Sequence, residues 1–513
     1  MEPVVENNQH KNQRIARNTV MLYIRTIFTM LVSLYTSRVI LKVLGIDDFG
    51  IYNVVGGAIS MFSIFSGSLS GAISRFITFG LGQGNLQRLK IIFSTSVSIQ
   101  IGLSLLLFVL AEIGGLWMLN TNLNIPEERM YAAHWVLQFS ILTFVMGLIN
   151  VPYNACIIAH EHMKIFAYMS ILEVSLKLLF VVLLSFAPFD KLIVYALLLF
   201  LITLLLRVIY GIYCTRHFEE CRYHWVLDKP LLKEMANYAF WGFFGNAAYT
   251  FNTQGVNILI NVFFGVTLNA ARGIVTQVEG AVMQFVNNFM TAVSPQITKS
   301  YAAGDKEYMF ALICRGAKFS YILLLFFLIP LGVEAHTVLR LWLGTVPDYA
   351  PLFLQMTLCS SAIVLLGNTS FTAVMATGKI RNYQLVVTIV GCLVFPFTWI
   401  AYRCGFPAVT TYVIYMVIYA ILDVIRLFFL RRLLGFEVSM FFNKVVRPVV
   451  FVTVTALIFP LSIHVAMAPS VLRLILVILT STIMVTLCAL RWGLDGGERK
   501  TVLAKVKNKI SRK

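Results

Sequence analysis

The sequence predicts an all-α polytopic membrane protein. It has about fourteen transmembrane helices: two pseudo-symmetric six-helix lobes related as a parallel repeat, then two C-terminal helices. Three observations predict this. First, 59% of the 513 residues are hydrophobic and 12% are charged, about half the charged share of a soluble domain. Second, apolar runs of about 20 residues, the length that spans a hydrocarbon core, recur along the chain. They are continuous rather than alternating, which argues for helices over barrel strands. Third, loop motifs recur at an offset of 220 residues.

The elements follow in order. A polar cytoplasmic tail, 1–16, precedes a long apolar run without a small-residue cleavage site, so a retained first helix is expected rather than a cleaved signal peptide. Spans are predicted at 17–42, 51–80, 88–118, 130–158, 163–187 and 190–214, which form the first lobe, 17–214. Residues 215–235 are a polar cytoplasmic linker. Spans at 236–263, 269–299, 309–333, 349–376, 383–403 and 407–431 form the second lobe, 236–432. Two further spans, 446–466 and 470–491, occupy 433–491, and a basic cytoplasmic tail runs from 492 to 513.

The repeat is read from loops. "LGIDDFGIYN", at 44–53, forms the tip between the first two helices, where its acids and glycines end one span and start the next. "FGVTLNAARGIV", at 264–275, stands at the matching tip of the second lobe. "GLGQGNLQRLK" at 80–90 matches "SYAAGDKEYMF" at 300–310, so that Gly84 aligns with Gly304. "GLWMLNTNLNIPEERMYAAHWVLQ" at 115–138 resembles "LRLWLGTVPDYAPLFLQM" at 339–356, and "NVPYNACIIAHEHMKIFAY" at 150–168 resembles "NTSFTAVMATGKIRNYQLV" at 368–386. Six helices per copy is an even number, so both copies share one orientation, a plan common among transporters.

The net charge of +18 is explained by topology and not by nucleic acid. Basic residues such as Arg88, Lys90, Lys164, Lys229, Lys306, Lys379, Arg431 and Arg432 gather on one side if both termini are cytoplasmic, as the positive-inside rule requires. That side has affinity for anionic lipid. Eight scattered cysteines contain no CxxC, so neither a disulfide framework nor a metal site is expected, and Cys404 is the one that faces outward. His134, His160, His162 and His336 are isolated, the middle two in a solvated inner loop.

With these residues on the page, the tip "LGIDDFGIYN" after a first helix preceded by basic residues resembles the signature of the polysaccharide flippases. These are the O-antigen and lipid-linked oligosaccharide translocases of the multidrug/oligosaccharidyl-lipid/polysaccharide exporter superfamily. The likeness in topology covers nearly the whole chain, while the motif itself is loose. The resemblance implies a non-enzymatic carrier in a bacterial inner membrane. It would move an undecaprenyl-diphosphate-linked oligosaccharide from the inner to the outer leaflet by alternating access, for O-antigen or capsule synthesis. It further implies a monomer with no organic cofactor, coupled to an H⁺ or Na⁺ gradient, with other polysaccharide assembly proteins as partners.

Charges inside the spans mark candidate sites, since each costs about 2.5–3.5 kcal/mol on insertion scales. A diphosphate crossing a low-dielectric slab calls for cations. Arg25, Arg38, Arg75 and Arg272 are the candidate cationic contacts, though an arginine within two turns of a helix end can also snorkel to headgroups. Arg207 is expected to snorkel and Lys42 to anchor at the headgroups. Glu279, with Arg272 two turns away on the same face, is the first candidate for ion coupling. Asp423, three residues before Arg426, and Glu173, four before Lys177, follow, each with the alternative of a neutralised structural pair. Polar residues recur on one helical face at Asn246, Thr250, Thr253, Asn257 and Asn261, and again at Arg272, Thr276, Glu279 and Asn287. Such amides and hydroxyls suit sugar hydroxyls. A second stripe, Ser60, Ser63, Gly67, Ser70 and Ser74, suits helix packing as well as a cavity. Pro152, Pro295, Pro330 and Pro396 are expected to kink or end helices.

Three alternatives stay open. A membrane glycosyltransferase or polymerase would need a catalytic constellation, and no phosphate loop, nucleophile elbow or metal cluster is present in the sequence. A drug or metabolite cation antiporter would share the fold but favours an acidic cavity. A non-transporting scaffold would not need the polar stripes.

Overall fold

The computed structural model describes residues 8–60, 63–121, 125–186, 188–226, 228–343, 346–495 and 498–499. Among these residues all regular structure is helical. The helices are α1 (Asn8–Ser60), α2 (Ser63–Gln83), α3 (Leu86–Thr121), α4 (Glu127–Ala159), α5 (Met163–Leu184), α6 (Lys191–His217), α7 (Lys229–Ala302), α8 (Lys306–Val333), α9 (Ala335–Leu343), α10 (Ala350–Leu366), α11 (Asn368–Ala376), α12 (Arg381–Cys392), α13 (Val394–Arg403), α14 (Thr410–Leu434), α15 (Val438–Phe441), α16 (Arg447–Ala466) and α17 (Val471–Cys488).

Eleven of the described helical segments are long and apolar enough to cross a membrane. The two halves of α7 are not among them, because asparagines, threonines and glutamines interrupt their apolar runs. The chain is a multi-pass membrane protein, and its helices fall where the expected spans lie once α1 and α7 are each counted as two.

Those two long helices are each broken by one glycine. Gly45 has φ 82° and ψ 173°, and Gly265 has φ 83° and ψ −179°. Only glycine populates this region freely. The helix therefore runs up to the tip and resumes at once, in place of the expected turn at 43–50. Gly84 (φ 70°) and Gly304 (φ 77°) form a second matched pair at the opposite helix ends. The repeat read from the loops is thus present in the backbone angles.

The chain divides into two compact units. Unit 1 comprises residues 1–247 with 298–305, and unit 2 comprises 248–297 with 306–513. The division falls inside α7 and not at 215–235, and residues 298–305 group with unit 1.

Unit 1 is built around α4, which packs against α1, α2, α3 and α6. Ile51, Val55 and Ile59 of α1 join Ala111, Leu119, Val136, Leu137 and Ile141 in its core. At the tip side, Arg129 at the start of α4 holds Asp48 and, at 2.6 Å, Asp190. Asp190 also caps α6, accepting from the Leu192 and Ile193 amides. Asp48 is one of the two acids of the tip motif, and this clasp is what it does. At the linker side, the buried carboxylate of Glu161 takes Lys299 at 2.6 Å and Arg14 at 3.8 Å. A Cβ on Gly82 would lie 2.6 Å from that of Ala302, so α2 and the end of α7 meet at a glycine.

In unit 2, Val275, Val282 and Val286 of α7 pack with Leu324, Phe353, Leu354, Leu358 and Leu365. The α16–α17 pair docks on α8 through Ile322, Leu325, Ile329, Val452, Ala456 and Val485. Polar clasps sit at both ends of that contact. Arg473 bonds Glu334 at 2.7 Å, with His464 at 2.8 Å on the same carboxylate. Lys318, 1% exposed, bonds Glu498 at 3.0 Å. None of the four singled-out prolines ends its helix. Pro152, Pro295 and Pro330 lie inside α4, α7 and α8. Pro396 lies near the start of α13, just past the break at Leu393, where a missing amide is tolerated.

Candidate functional site

A polar pocket lies within unit 2. It is lined by Tyr249, Asn252, Thr253, Val256, Arg272, Thr276, Glu279, Thr357, Ser360, Thr411, Tyr412 and Tyr415, and has a volume of about 120 Å³. The two halves of α7 supply its amides and charges, α10 its hydroxyls, and α14 its rings. Its geometry starts with a close helix contact. A Cβ on Gly255 would lie 2.6 Å from the Phe395 ring, so glycine lets the first half of α7 settle against α13. One turn earlier the Asn252 amide donates to the Gly391 carbonyl at the break between α12 and α13. Its Oδ1 is buried and makes no hydrogen bond within the chain. Glu279 receives the Ser361 hydroxyl at 2.5 Å. The Arg272 guanidinium lies 5.8 Å from the centre of the Tyr412 ring. At about 30 Å³ per water, the pocket holds a handful of waters, an ion or one small polar group.

The structure brings Thr253, Arg272, Thr276 and Glu279 to this pocket. It does not bring the other candidates there. Asn257 donates to Gln254 at 3.0 Å, and Asn261 and Asn287 are exposed on α7. Asp423 pairs with Arg426 at 2.7 Å, and Arg426 reaches the Tyr383 hydroxyl at 3.4 Å. This pair packs on Gly367, between α10 and α11, where a Cβ would overlap both side chains.

The remaining candidates lie in unit 1. The Arg25 guanidinium is 4.9 Å from the Phe166 ring centre and bonds Thr26 at 3.4 Å. Arg75 lies on Phe76 at 4.7 Å, Phe79 at 4.6 Å and Tyr238 at 5.6 Å, a cation–π cage. Glu173 bonds Lys177 at 2.6 Å, both half exposed. Asn246 donates to Ser68 at 3.0 Å. Arg207 lies 4.0 Å above the Tyr153 ring. The side chains of Arg38, Ser60 and Ser63 lie outside the described residues.

The inner loop, expected to be solvated, is instead packed around His160. This ring stacks on Phe218 at 4.1 Å and bonds Glu220. Burial alone would raise the Glu220 carboxyl, but the His160 hydrogen bond and charge hold it below the usual range. Burial, with His160, His217, Arg14 and Lys299 nearby, lowers the His162 imidazole.

Sequence reasoning missed Tyr249, Asn252, Thr357, Ser360, Ser361, Tyr412 and Tyr415. A signal was available for some. Tyr412, Tyr415, Tyr419 and Asp423 recur at helical spacing on α14, and Ser360–Ser361 interrupts an apolar run. Asn252 gave none, being one residue off the stripe through Asn246, Thr250 and Thr253.

Comparison with known proteins bears on what such a pocket serves. The profile of the polysaccharide biosynthesis protein family matches residues 15–301. The uncharacterized membrane protein EpsK of Bacillus subtilis is 19% identical over 324 residues, which are 62% of this chain and 63% of EpsK, so less than two thirds of that relative is matched. Among solved structures, a multidrug resistance MATE family transporter of the MOP superfamily, in an outward-facing conformation, superposes with a TM-score of 0.70. It is 12% identical, over 83% of this chain and 97% of that one. A MOP superfamily transporter from Pyrococcus furiosus, for which a reversed polarity of the binding pocket suggests a different function, gives 0.67 at 13% identity, over 82% and 96%. A mutant of the Vibrio cholerae MATE transporter VcmN gives 0.66 at 16% identity, over 84% and 99%. These likenesses establish the fold of a MATE-type transporter.

Proposed function

This chain belongs to the polysaccharide biosynthesis protein family and has the fold of a MATE-type transporter, and we propose that it is a transporter of the MOP superfamily and not an enzyme: a lipid-linked oligosaccharide flippase. It carries an undecaprenyl-diphosphate-linked repeat unit from the inner to the outer leaflet of a bacterial inner membrane, for O-antigen or capsule synthesis. It works by alternating access, as a monomer with both termini cytoplasmic, alongside other assembly proteins of the same polysaccharide. The observation that carries this reading is the pocket of unit 2, where a guanidinium and a carboxylate share one polar site inside a membrane-embedded helical lobe. Intramembrane charges are expensive and are retained for function.

The pocket is too small for an oligosaccharide, so its roles divide. Glu279, held by Ser361 and two turns from Arg272, is the coupling carboxylate, which takes H⁺ or Na⁺. Asp423 and Glu173, each already paired with a basic neighbour, are the weaker candidates for that role. Arg272 attracts the diphosphate by charge-assisted bonds. Thr253 and Thr276 offer hydroxyl oxygens to one small polar group of the cargo. Arg25, Arg38 and Arg75 are the proposed cationic contacts of the first lobe, and Asn246, Asn257, Asn261 and Asn287 the proposed polar contacts along α7.

The test is leaflet distribution of the lipid-linked oligosaccharide in a host deleted for the gene. Repeat units accumulate on the inner leaflet, and the wild-type protein restores transfer. Arg272→Ala and Glu279→Gln, at normal membrane levels, do not. Unchanged distribution in the deletion strain, with no second copy of the gene, overturns the reading and leaves a drug or metabolite cation antiporter of the same fold.

A further inference from the structure

A second polar place lies in unit 1, between α3 and α4, on residues not assigned to transport. Gln100 of α3 is fully buried, and neither its amide oxygen nor its nitrogen has a hydrogen-bond partner among the described residues. One turn along, Ser104 is 2% exposed with a partnerless hydroxyl. On α4 the buried Oδ1 atoms of Asn150 and Asn154 are likewise unpartnered, as is Thr95 Oγ1 on α3.

The register of the two helices brings these positions to one level. Gln138 donates to Glu112 at 2.9 Å toward one end, and Phe93 meets Tyr153 edge-on at 5.2 Å toward the other. Counting along both antiparallel helices from these two contacts sets Asn150 within a turn of Gln100, while Gln100 and Ser104, seven and eleven residues after Phe93, share its face of α3. The helices α2, α3 and α4 pack against one another.

Packing does not require these groups. At the repeat-related positions of α8 stand Ser320, whose hydroxyl bonds Met290 Sδ at 3.3 Å, and Leu324, fully buried. The second copy fills the same place without an orphaned amide. Each orphan is costly to keep, and buried polar groups are normally satisfied. The seam keeps several.

The chemistry of the set selects the partner. Of the four orphaned atoms on Gln100, Ser104 and Asn150, three are oxygens, so acceptors are in surplus. None is a carboxylate, thiolate or imidazole. Hard cations take oxygen ligands, soft transition metals prefer sulfur and nitrogen, and a purely neutral set fits a single charge better than a double one. We infer that the α3–α4 seam at Gln100, Ser104 and Asn150 binds a monovalent hard cation, with sodium as the ion of choice. This site is separate from the Glu279 pocket and does not depend on the transport reading.

The experiment measures thermal unfolding of the purified full-length protein in sodium chloride against choline chloride at equal ionic strength. The wild type and Glu279→Gln are both expected to melt at higher temperature as sodium rises, with saturation. In the Glu279→Gln background, Gln100→Leu and Ser104→Ala are expected to lose that response, yet to melt in choline at or above the temperature of Glu279→Gln alone, because an orphan has been replaced by an apolar group. Should Gln100→Leu fail to fold, Ser104→Ala and Asn150→Leu carry the comparison. A wild type indifferent to sodium overturns the inference, and so does a full response in the seam variants. A response already lost in Glu279→Gln alone assigns the ion to the unit 2 pocket and equally overturns it.

Discussion

Gly45 and Gly265 hold backbone angles that a residue with a Cβ reaches only under strain of about 1–3 kcal/mol. Replacing either with alanine is therefore expected to lower stability by about that amount, read as a lower melting temperature of the protein in detergent, although no atom lies within 4 Å of the Cβ position. Gly367→Ala acts differently. There the backbone is ordinary and the new methyl overlaps Asp423 and Arg426. A buried ion pair forced apart costs about 3–5 kcal/mol, so this variant is expected to be the least stable of the three. A melting temperature equal to wild type would show that the pair relaxes without loss. These positions illustrate what could be read from residues alone. The tip glycines stood out because a glycine beside acids punctuates an apolar run. Gly367 did not, because its need comes from α14, more than fifty residues away.

The α16–α17 pair shows how an element is fixed by chemistry at its ends. Arg473 and His464 meet the buried Glu334, while Lys318 meets Glu498. Burial alone would raise the Glu334 carboxyl, but hydrogen bonds from Arg473, Thr337 and His464 hold it below the ordinary carboxylate range. A carboxylate with a lowered folded-state pKa contributes stability at pH above its unfolded value, about 4.3. That contribution is lost as pH falls through the folded value. The Glu334 contribution to the docking of α17 is therefore expected to be lost below about pH 4. Trp492, at the end of this pair, offers a fluorescence readout. Glu334→Gln is expected to remove the acid transition, since glutamine does not titrate. The hydrophobic docking of these helices was legible as two extra apolar spans. The clasps were not, because Glu334 lies about 140 residues from Arg473 and nothing in either local sequence links them. The candidate site failed in the same way: α7 announced its polar stripe, whereas the hydroxyls and rings from α10 and α14 reach Glu279 only through tertiary packing.

For the chain taken together, topology was the most legible property. Apolar length, basic asymmetry and the repeated loops each follow from a local rule, so the multi-pass helical fold and the repeated glycine breaks were readable in advance. Their function is argued from family membership and one pocket, and its test is transfer between leaflets. A graded outcome is expected across the charged residues. Arg272→Ala is expected to reduce transfer strongly, whereas Arg75→Lys, which keeps the charge inside its three-ring cage, is expected to reduce it mildly if at all. Equal loss in both would mean that Arg75 does more than pack.

The clasp of Arg129 with Asp48 and Asp190 has a consequence for how the duplicated halves have diverged. The repeat sets Leu268 at the position of Asp48 and, at the offset of 218 that holds from residue 150 onward, Ala408 at that of Asp190, and both belong to one apolar cluster. One rim is closed by partly exposed ions, the other by greasy contact. Ions at a surface are screened over about a nanometre by physiological salt, and apolar contact is not. Rising ionic strength is therefore expected to loosen the first half's rim and leave the second's unchanged, so that protease sensitivity near residue 48, but not near 268, increases with salt.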